Sequence, residues 1–322
     1  MTLGGDGQKD YSCVHGENED NIKLVYPPRL ERTSYILGQS AYSPVTGWDV
    51  GGWDEAIAFV RRRGNRLDQL RLRRALAEPY TPVEAEEVLA SYQFPDGSWD
   101  YNTREEKSER IGSLGGTIHC LRWLREFGLG DSPQMVRTLE FLASIQAPDG
   151  SFYETDAKLA HSPQEWLQEE TLIDRFYFTA AVPMRLLSLD HREHSIIEPA
   201  PRWLKLHWTD WKLVTGTWYN LWALLCIHPA IIELTTSQYQ RCYAKALDWL
   251  PHLGAQPLTW LLDALQGAGF SSEEPLVARG VARLLTLQSE DGVWRDPHYS
   301  TVETTITALR LLRDCGKLDP RR

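Results

Sequence analysis

The chain has 322 residues, of which 42% are hydrophobic and 24% charged, enough apolar material for a sizeable core, and its 13 Trp are well above ordinary usage. A formal net charge of −10, with Lys and Arg scattered along the chain, argues against a nucleic-acid partner. Five dispersed cysteines (Cys13, Cys120, Cys226, Cys242, Cys315) form no CxxC pair, the N-terminus lacks the regions of a signal peptide, and the longest apolar run, Leu221–Leu234, contains a Pro and is too short to span a bilayer. A soluble protein of the reducing cytoplasm is expected.

Residues 1–50 are polar, with Gly, Pro and Ser punctuation and little periodicity, and are read as an extended N-terminal segment; 51–322 are read as one domain. From Trp53 the pattern is helical, and almost no alternating stretch of strand type follows. The basic cluster Arg61–Arg74 reads as a solvated helix face, with an anionic headgroup or diphosphate as its alternative partner. Thr81 and Pro82 mark a helix start of the N-cap and N1-Pro kind; Ser132 and Ser271 open two further helices. Each of these helices ends in a related text: Gln93/Gly97/Trp99, Gln146/Gly150/Phe152 and Gln288/Gly292/Trp294. A second helix follows each copy, over Ile111–Phe127, Glu165–Leu189 and Val302–Cys315. More degenerate pairs lie between, over Leu213–Ile227 with Gln238–Leu250 and over Pro257–Gly267.

The count is about six helix pairs at a spacing near fifty residues. One pair cannot bury its apolar face alone, so neighbours must stack, and six pairs can close into a ring of inner helices around a cavity. The repeated Gln can reach backbone groups of the neighbouring pair while the aromatic packs across it, which makes the repeat a clip.

The arrangement R-G-x-x-R-L-x-x-x-Q-x-x-x-G-x-W at Arg279–Trp294 resembles the QW motif of squalene–hopene and oxidosqualene cyclases. Their superfamily includes class II terpene cyclases and protein prenyltransferase β-subunits, all α/α toroids. The resemblance covers roughly Trp53 to Cys315 and departs at Arg283, where the family prefers an aromatic. It implies an all-α fold, an (α/α)6 toroid, and, for a chain with one such domain, similarity to the monodomain class II terpene cyclases of meroterpenoid pathways. The implied substrate is a linear isoprenoid, such as a prenylated aromatic or an epoxidised terpenoid. Protonation-initiated cyclisation needs no cofactor and no metal, and the resemblance leaves peripheral contact with a membrane open.

Class I terpene synthases hold magnesium and diphosphate on a D-D-x-x-D segment; none is present, and Gly16–Asp20 lies in the N-terminal extension. A zinc-dependent prenyltransferase needs an Asp-x-Cys and a distant His, whereas Asp314 and Cys315 are adjacent and His119–Cys120 has no paired Asp, so this reading ranks last. Class II cyclases protonate the substrate with the middle Asp of D-x-D-D-T at the start of an inner helix. The first clear inner helix carries Gly115 and Gly116 at that register, read either as tight packing or as room for a ligand. The next carries Glu169-Glu170-Thr171, with Glu170 on the same stripe as Trp166, Ile173 and Tyr177. Asp174 lies four residues on; two carboxylates at that spacing repel, and burial raises the proton affinity of at least one. Glu303 holds the equivalent register in the last pair, where helix capping is the alternative explanation. The expected general acid is therefore Glu170, with Asp174, Glu303 and Glu169 as further candidates.

A carbocation formed in such a site needs π faces around it. Trp218, Tyr219 and Trp222 on the fourth inner helix, Trp260 on the fifth, and Trp166, Phe176 and Tyr177 on the third are expected to line the cavity. The competing functional reading is a toroid without a working acid that binds an apolar isoprenoid or serves as a scaffold.

Overall fold

The computed structural model describes residues 52–100, 111–154, 171–208, 211–215, 218–297 and 299–318. Glu169, Glu170 and Trp166 lie outside the described residues, as does the N-terminal segment. The described chain is almost entirely helical: α1 Trp53–Arg63, α2 Arg66–Ala75, α3 Pro82–Ala90, α4 Leu114–Glu126, α5 Pro133–Ile145, α6 Leu172–Leu187, α7 Ala200–His207, α8 Trp211–Thr215, α9 Trp218–Ile227, α10 Thr236–Trp249, α11 Ala255–Gly267, α12 Pro275–Thr286 and α13 Thr301–Asp314. The starts are chemical. Thr81 and Ser132 accept from the backbone N–H of the third helical residue, and each is followed by Pro. Asn65 and Asp68 form a reciprocal capping box at α2. The helix expected from Ser271 starts only at Pro275, because Pro holds the residue before it out of the helical region. The stretch expected as one helix over Leu213–Ile227 is described on either side of residues 216–217, as α8 and α9.

The helices α2, α4, α6, α9, α11 and α13 form an inner ring in which each packs on the next and α13 returns to α2. The α2–α4 contact is made by Arg71 Nε, which donates to Glu126 Oε2 at 3.1 Å, and by Arg74 Nε, which donates to the Glu126 carbonyl at 3.2 Å. Outer helices α1, α3, α5, α7, α10 and α12 pack outside, one to each inner helix in an (α/α)6 arrangement. Helix α9 is apolar nearly all round, as burial on both sides requires: every residue from Asn220 to Ile227 is buried.

The repeat builds the joints. Gln93 Nε2 donates to the carbonyls of Gly97 (3.1 Å) and Gln134 (2.9 Å), tying the end of α3 to the first turn of α5. Gln146 Nε2 donates to the carbonyls of Gly150 (3.1 Å) and Ile196 (2.8 Å), just before α7. The glycines allow the approach. Gly97 and Gly150 both have φ +87, and a Cβ would stand 2.1 Å from the Arg137 carbonyl oxygen at the first and 2.3 Å from Pro199 Cβ at the second. In the third copy Gly292, at φ +81, meets the carbonyl oxygen of Gly52 at the start of α1, so this copy clips the last pair to the first and closes the ring.

The aromatic of each copy sets the register of the inner helix. The backbone N–H groups of Trp99, Phe152 and Trp294 donate to Thr117, Thr179 and Thr305 at 3.2, 3.0 and 3.2 Å. Gly115, Tyr177 and Glu303, each two residues before its Thr, are therefore equivalent positions. Helix α6 starts seven residues before Thr179, against three before Thr117 and four before Thr305, so it reaches about one turn further. The small departure from an all-helical chain is a two-residue pairing of Trp99–Asp100 with Gly112–Ser113, which leads the chain into α4.

Candidate active site

The inner helices enclose a cavity with about 50 Å3 open to the centre of a water molecule. Helix α4 contributes Gly115, His119 and Arg122, which recur on one face at helical spacing. Helix α6 adds Tyr177, Phe178 and Arg185; α9 adds Trp218, Tyr219 and Trp222; α11 adds Trp260. The aromatics touch one another. Ring centroids are 3.9 Å apart for Trp218–Trp222, 4.7 Å for Tyr177–Tyr219 and 6.1 Å for Trp218–Trp260. Such rings present negative π faces to whatever fills the space.

Five of the expected aromatics, Tyr177, Trp218, Tyr219, Trp222 and Trp260, thus meet around one cavity, together with Gly115. Gly116 is buried in α4, where its N–H donates to the Ser113 hydroxyl. Phe176 departs from expectation: it faces Trp203 (6.3 Å) and Trp208 (6.5 Å) on the outer layer. Tyr177 and Phe178 hold the cavity-facing arc of α6, and Phe176, at about 100° per residue, lies about 150° from the middle of that arc and so faces outward.

The acids separate into two kinds. Asp174, 6% exposed, lies on α6 one turn before Tyr177 and Phe178, beyond the aromatic layer. Thr171 Oγ1 donates to its Oδ2 at 2.5 Å and accepts from its N–H at 3.2 Å. Burial raises the proton affinity of this carboxyl and outweighs the bonds from Thr171, which act the other way. Glu303 departs from the expected role of proton donor. Its Oε1 lies 2.6 Å from Arg122 Nη2 and 3.2 Å from His119 Nε2. Burial works to raise this carboxyl, but His119 and Arg122, with Arg71 behind them, hold it well below the usual carboxylate range. Its backbone also serves the cap at Ser300. Glu303 is an ionised counter-charge.

Several further groups at the site were not singled out as site residues by the sequence. His119 bridges Glu303 and the aromatics, edge-on to Trp123 at 5.2 Å and Trp260 at 6.1 Å; burial, then the neighbouring Arg122, lower its proton affinity. Asp263 on α11 accepts from Arg125, Arg310 and Arg185. Burial opposes its ionisation, but the three guanidinium groups hold it far below the ordinary range. Glu154 caps α4, accepting from the Leu114 N–H at 2.5 Å and the Gly115 N–H at 3.3 Å, beside the cavity wall. Arg71, from the basic cluster, is buried against Glu126, whereas Arg61 and Arg73 pair with Glu78 and Glu84 nearer the surface. Among the described residues no helix is long and apolar enough to cross a membrane, and no group of three His, Cys, Asp or Glu side chains is placed to hold a metal.

The fold and cavity together define an (α/α)6 ring with an aromatic-walled axial chamber. No family model matches the chain, and no curated protein matches it. Among solved structures, the chain is similar to the type II terpene cyclase MstE from Scytonema in three forms. A variant in complex with merosterolic acid A, its product, is 17% identical over 82% of this chain and 96% of that one, with a TM-score of 0.49. A variant in complex with geranylgeranyl dihydroxybenzoate, its substrate, is 16% identical over 82% and 96%, at 0.48. The apo enzyme is 18% identical over 82% and 97%, also at 0.48.

Proposed function

We propose that the chain is a class II terpene cyclase, which protonates a linear isoprenoid and folds the resulting cation inside the ring. One juxtaposition carries the reading: a buried carboxyl with raised proton affinity, Asp174, stands one helical turn from a chamber walled by Tyr177, Trp218, Tyr219, Trp222 and Trp260. Asp174 is the proposed proton donor, and Thr171 orients it. Burial keeps the proton on at a pH where an exposed Asp has lost it, which is what a general acid requires. The transferred proton forms a C–H bond at an alkene, or opens an epoxide to an alcohol. The cation that results migrates among π faces worth on the order of 0.5–2 kcal/mol each. Apolar walls exclude water that would trap the cation early. A prenylated aromatic fits the aromatic lining and is the preferred substrate class. Glu170, the general acid expected from sequence register, and Glu169 stay candidate acids beside Asp174.

The test is product analysis by mass spectrometry and NMR after incubation with linear prenylated aromatics and terpenoid epoxides. An isomeric cyclic product is expected, with turnover lowered about 10²–10⁴-fold in Asp174→Asn. Binding of a saturated, unreactive analogue should persist in that variant. Unchanged turnover would remove Asp174 from the mechanism. An analogue that binds while no linear substrate is converted would make the ring a ligand-binding protein.

A further inference from the structure

The three inner helices that follow the repeat are aligned through Thr117, Thr179 and Thr305, which makes Gly115, Tyr177 and Glu303 one position in three copies. Two copies fill it. The Tyr177 ring meets Tyr219 at 4.7 Å, and the Glu303 carboxylate meets Arg122 and His119. The third leaves it open. Gly115 lines the cavity with Ile118 one turn on, and it is partly exposed although Leu114 and Gly116 on either side are buried. The chamber wall therefore has a notch on α4, level with Tyr177 on the adjacent α6.

The backbone does not ask for glycine at this point. Gly97, Gly150 and Gly292 turn at positive φ, and a Cβ on each would meet a neighbouring residue at 2.1, 2.3 and 2.1 Å. Gly115 lies inside the helical run of α4, where glycine is among the weakest helix formers. Gly116 is enclosed by packing, with its N–H on the Ser113 hydroxyl. Gly115 is not so enclosed. Its N–H donates to Glu154 at 3.3 Å, beside the 2.5 Å bond from the Leu114 N–H, so the floor of the notch is pinned. A residue that weakens its own helix, builds no joint and faces a cavity contributes space, and lets a ligand approach the backbone.

The place of that space says what it holds. Asp174 precedes Tyr177 by three residues on α6, about 4.5 Å along the helix, so the notch opens within one turn of the proposed proton donor. Protonation at the end of an isoprenoid starts the first ring, which closes between carbons a few bonds from the new C–H bond. A ring is broader than the extended chain from which it forms. A wall packed as closely as a protein interior accepts that breadth only where volume has been left for it.

We infer that Gly115 is the specificity-determining residue for the first ring: the notch takes the breadth of the ring closed beside Asp174, while the linear chain passes without needing the room. This rests on the cyclase reading and deepens it by fixing where the protonated end of the substrate folds. A side chain at position 115 acts against the ring and spares the chain.

Unreactive probes on the full chain test that shape directly. Two saturated C15-alkyl phenols are titrated calorimetrically, one linear and one with the end of its chain closed into a cyclohexyl ring. The wild-type chain should bind the two within about threefold of each other. Gly115→Leu should keep the linear probe within about threefold and weaken the cyclic one by about tenfold or more, the factor that overpacking a protein core implies. Gly115→Ala strengthens the helix, so its urea midpoint should not fall, and it should show the same selectivity at about threefold. The Ala variant carries the test where the Leu variant does not fold. Equal weakening of both probes makes position 115 ordinary wall and overturns the inference; so does a cyclic probe that binds a folded Gly115→Leu as tightly as the wild-type chain. No binding of either probe to the wild-type chain removes the cavity as the substrate site, and the inference with it. The two readings fail separately. Weakening confined to the cyclic probe, with no linear isoprenoid converted by the wild-type chain, sinks the cyclase and leaves a site shaped for a ring-bearing ligand. Cyclisation at the wild-type rate in Gly115→Leu removes the notch and leaves the cyclase.

Discussion

The two ends of the cavity hold ionisable groups in opposite ways. At the N-terminal end Asp174 is buried with a hydroxyl for company, and no ion pair forms on it among the described residues. At the C-terminal end Asp263 takes three arginines, and in the first turn of α13 Glu303 is clamped by Arg122 beside His119. Helix dipoles favour anions at the first end and cations at the second, so the gross placement of charge follows from stacking inner helices in parallel. The difference lies in the degree of compensation. A networked carboxylate is fixed as an anion and holds helices together; an uncompensated one titrates. Only the second kind can deliver a proton, and it contributes little to the fold.

The sharpest way to break this contrast is to neutralise each carboxylate in turn. Asp263→Asn leaves three buried guanidinium groups without their shared counter-charge, and unfolding free energy should fall by roughly 3–5 kcal/mol. Asp174→Asn removes one hydrogen-bonded carboxyl and should change stability by at most about 1 kcal/mol. Urea titrations of both variants at pH 7 decide it; equal losses would show that Asp174 is structural as well.

The pH dependence of stability separates the clamped carboxylate from the uncompensated one by sign. The Glu303 carboxyl is depressed in the folded chain, so its contribution is present above the ordinary Glu value of about 4.3 and is lost as pH falls toward the folded value. Glu303→Gln should lower stability at pH 7 and flatten this acid limb. The Asp174 carboxyl is raised, so its contribution is present below the ordinary Asp value of about 3.9 and is lost as pH rises through the folded value. Asp174→Asn should therefore remove a loss on the alkaline side. Urea midpoints measured across pH 3–8 read both limbs, and limbs of the same sign would end the comparison.

The fold was legible in sequence because its joints are local. Gln93 and Gln146 reach a carbonyl four residues on, and Gly97 and Gly150 turn with positive φ, so each clip is written within a dozen residues. The aromatic wall was legible for the same reason: Trp218 and Trp222 share a face at i, i+4. Charges were not. Glu303 meets Arg122 across 181 positions, and Asp263 meets Arg185 across 78, so a carboxylate read as a candidate acid could not be told from a clamped one. Spacing offered one usable sign, since Gly115, His119 and Arg122 recur on one face, as do Tyr177 and Arg185. A charged residue on the apolar stripe of an inner helix needs a partner from another helix, and sequence does not say which. Phe176 shows the complementary error, in which aromatic content was credited to the axis before the register of α6 was fixed by Thr179.

The smallest effect tests the aromatic wall. Trp218 lies against Trp222 at 3.9 Å and Tyr219 at 5.0 Å, and is only partly buried, so trimming it should leave the fold intact. Trp218→Leu removes one π face, worth up to about 2 kcal/mol when desolvated, and predicts a slowing of up to about 30-fold at 1.4 kcal/mol per tenfold. Trp218→Phe keeps a weaker face and should slow turnover by less than tenfold while redistributing products. The comparison at constant bulk is the informative part. Loss of bulk alone makes Phe and its saturated isostere cyclohexylalanine alike at this position, whereas cation stabilisation separates them. Competition between substrates in one flask, read by product ratio, measures that separation without interference from differences in expression. If Phe and cyclohexylalanine give the same rate and the same products, the wall acts through shape, and the cation is stabilised elsewhere in the cavity.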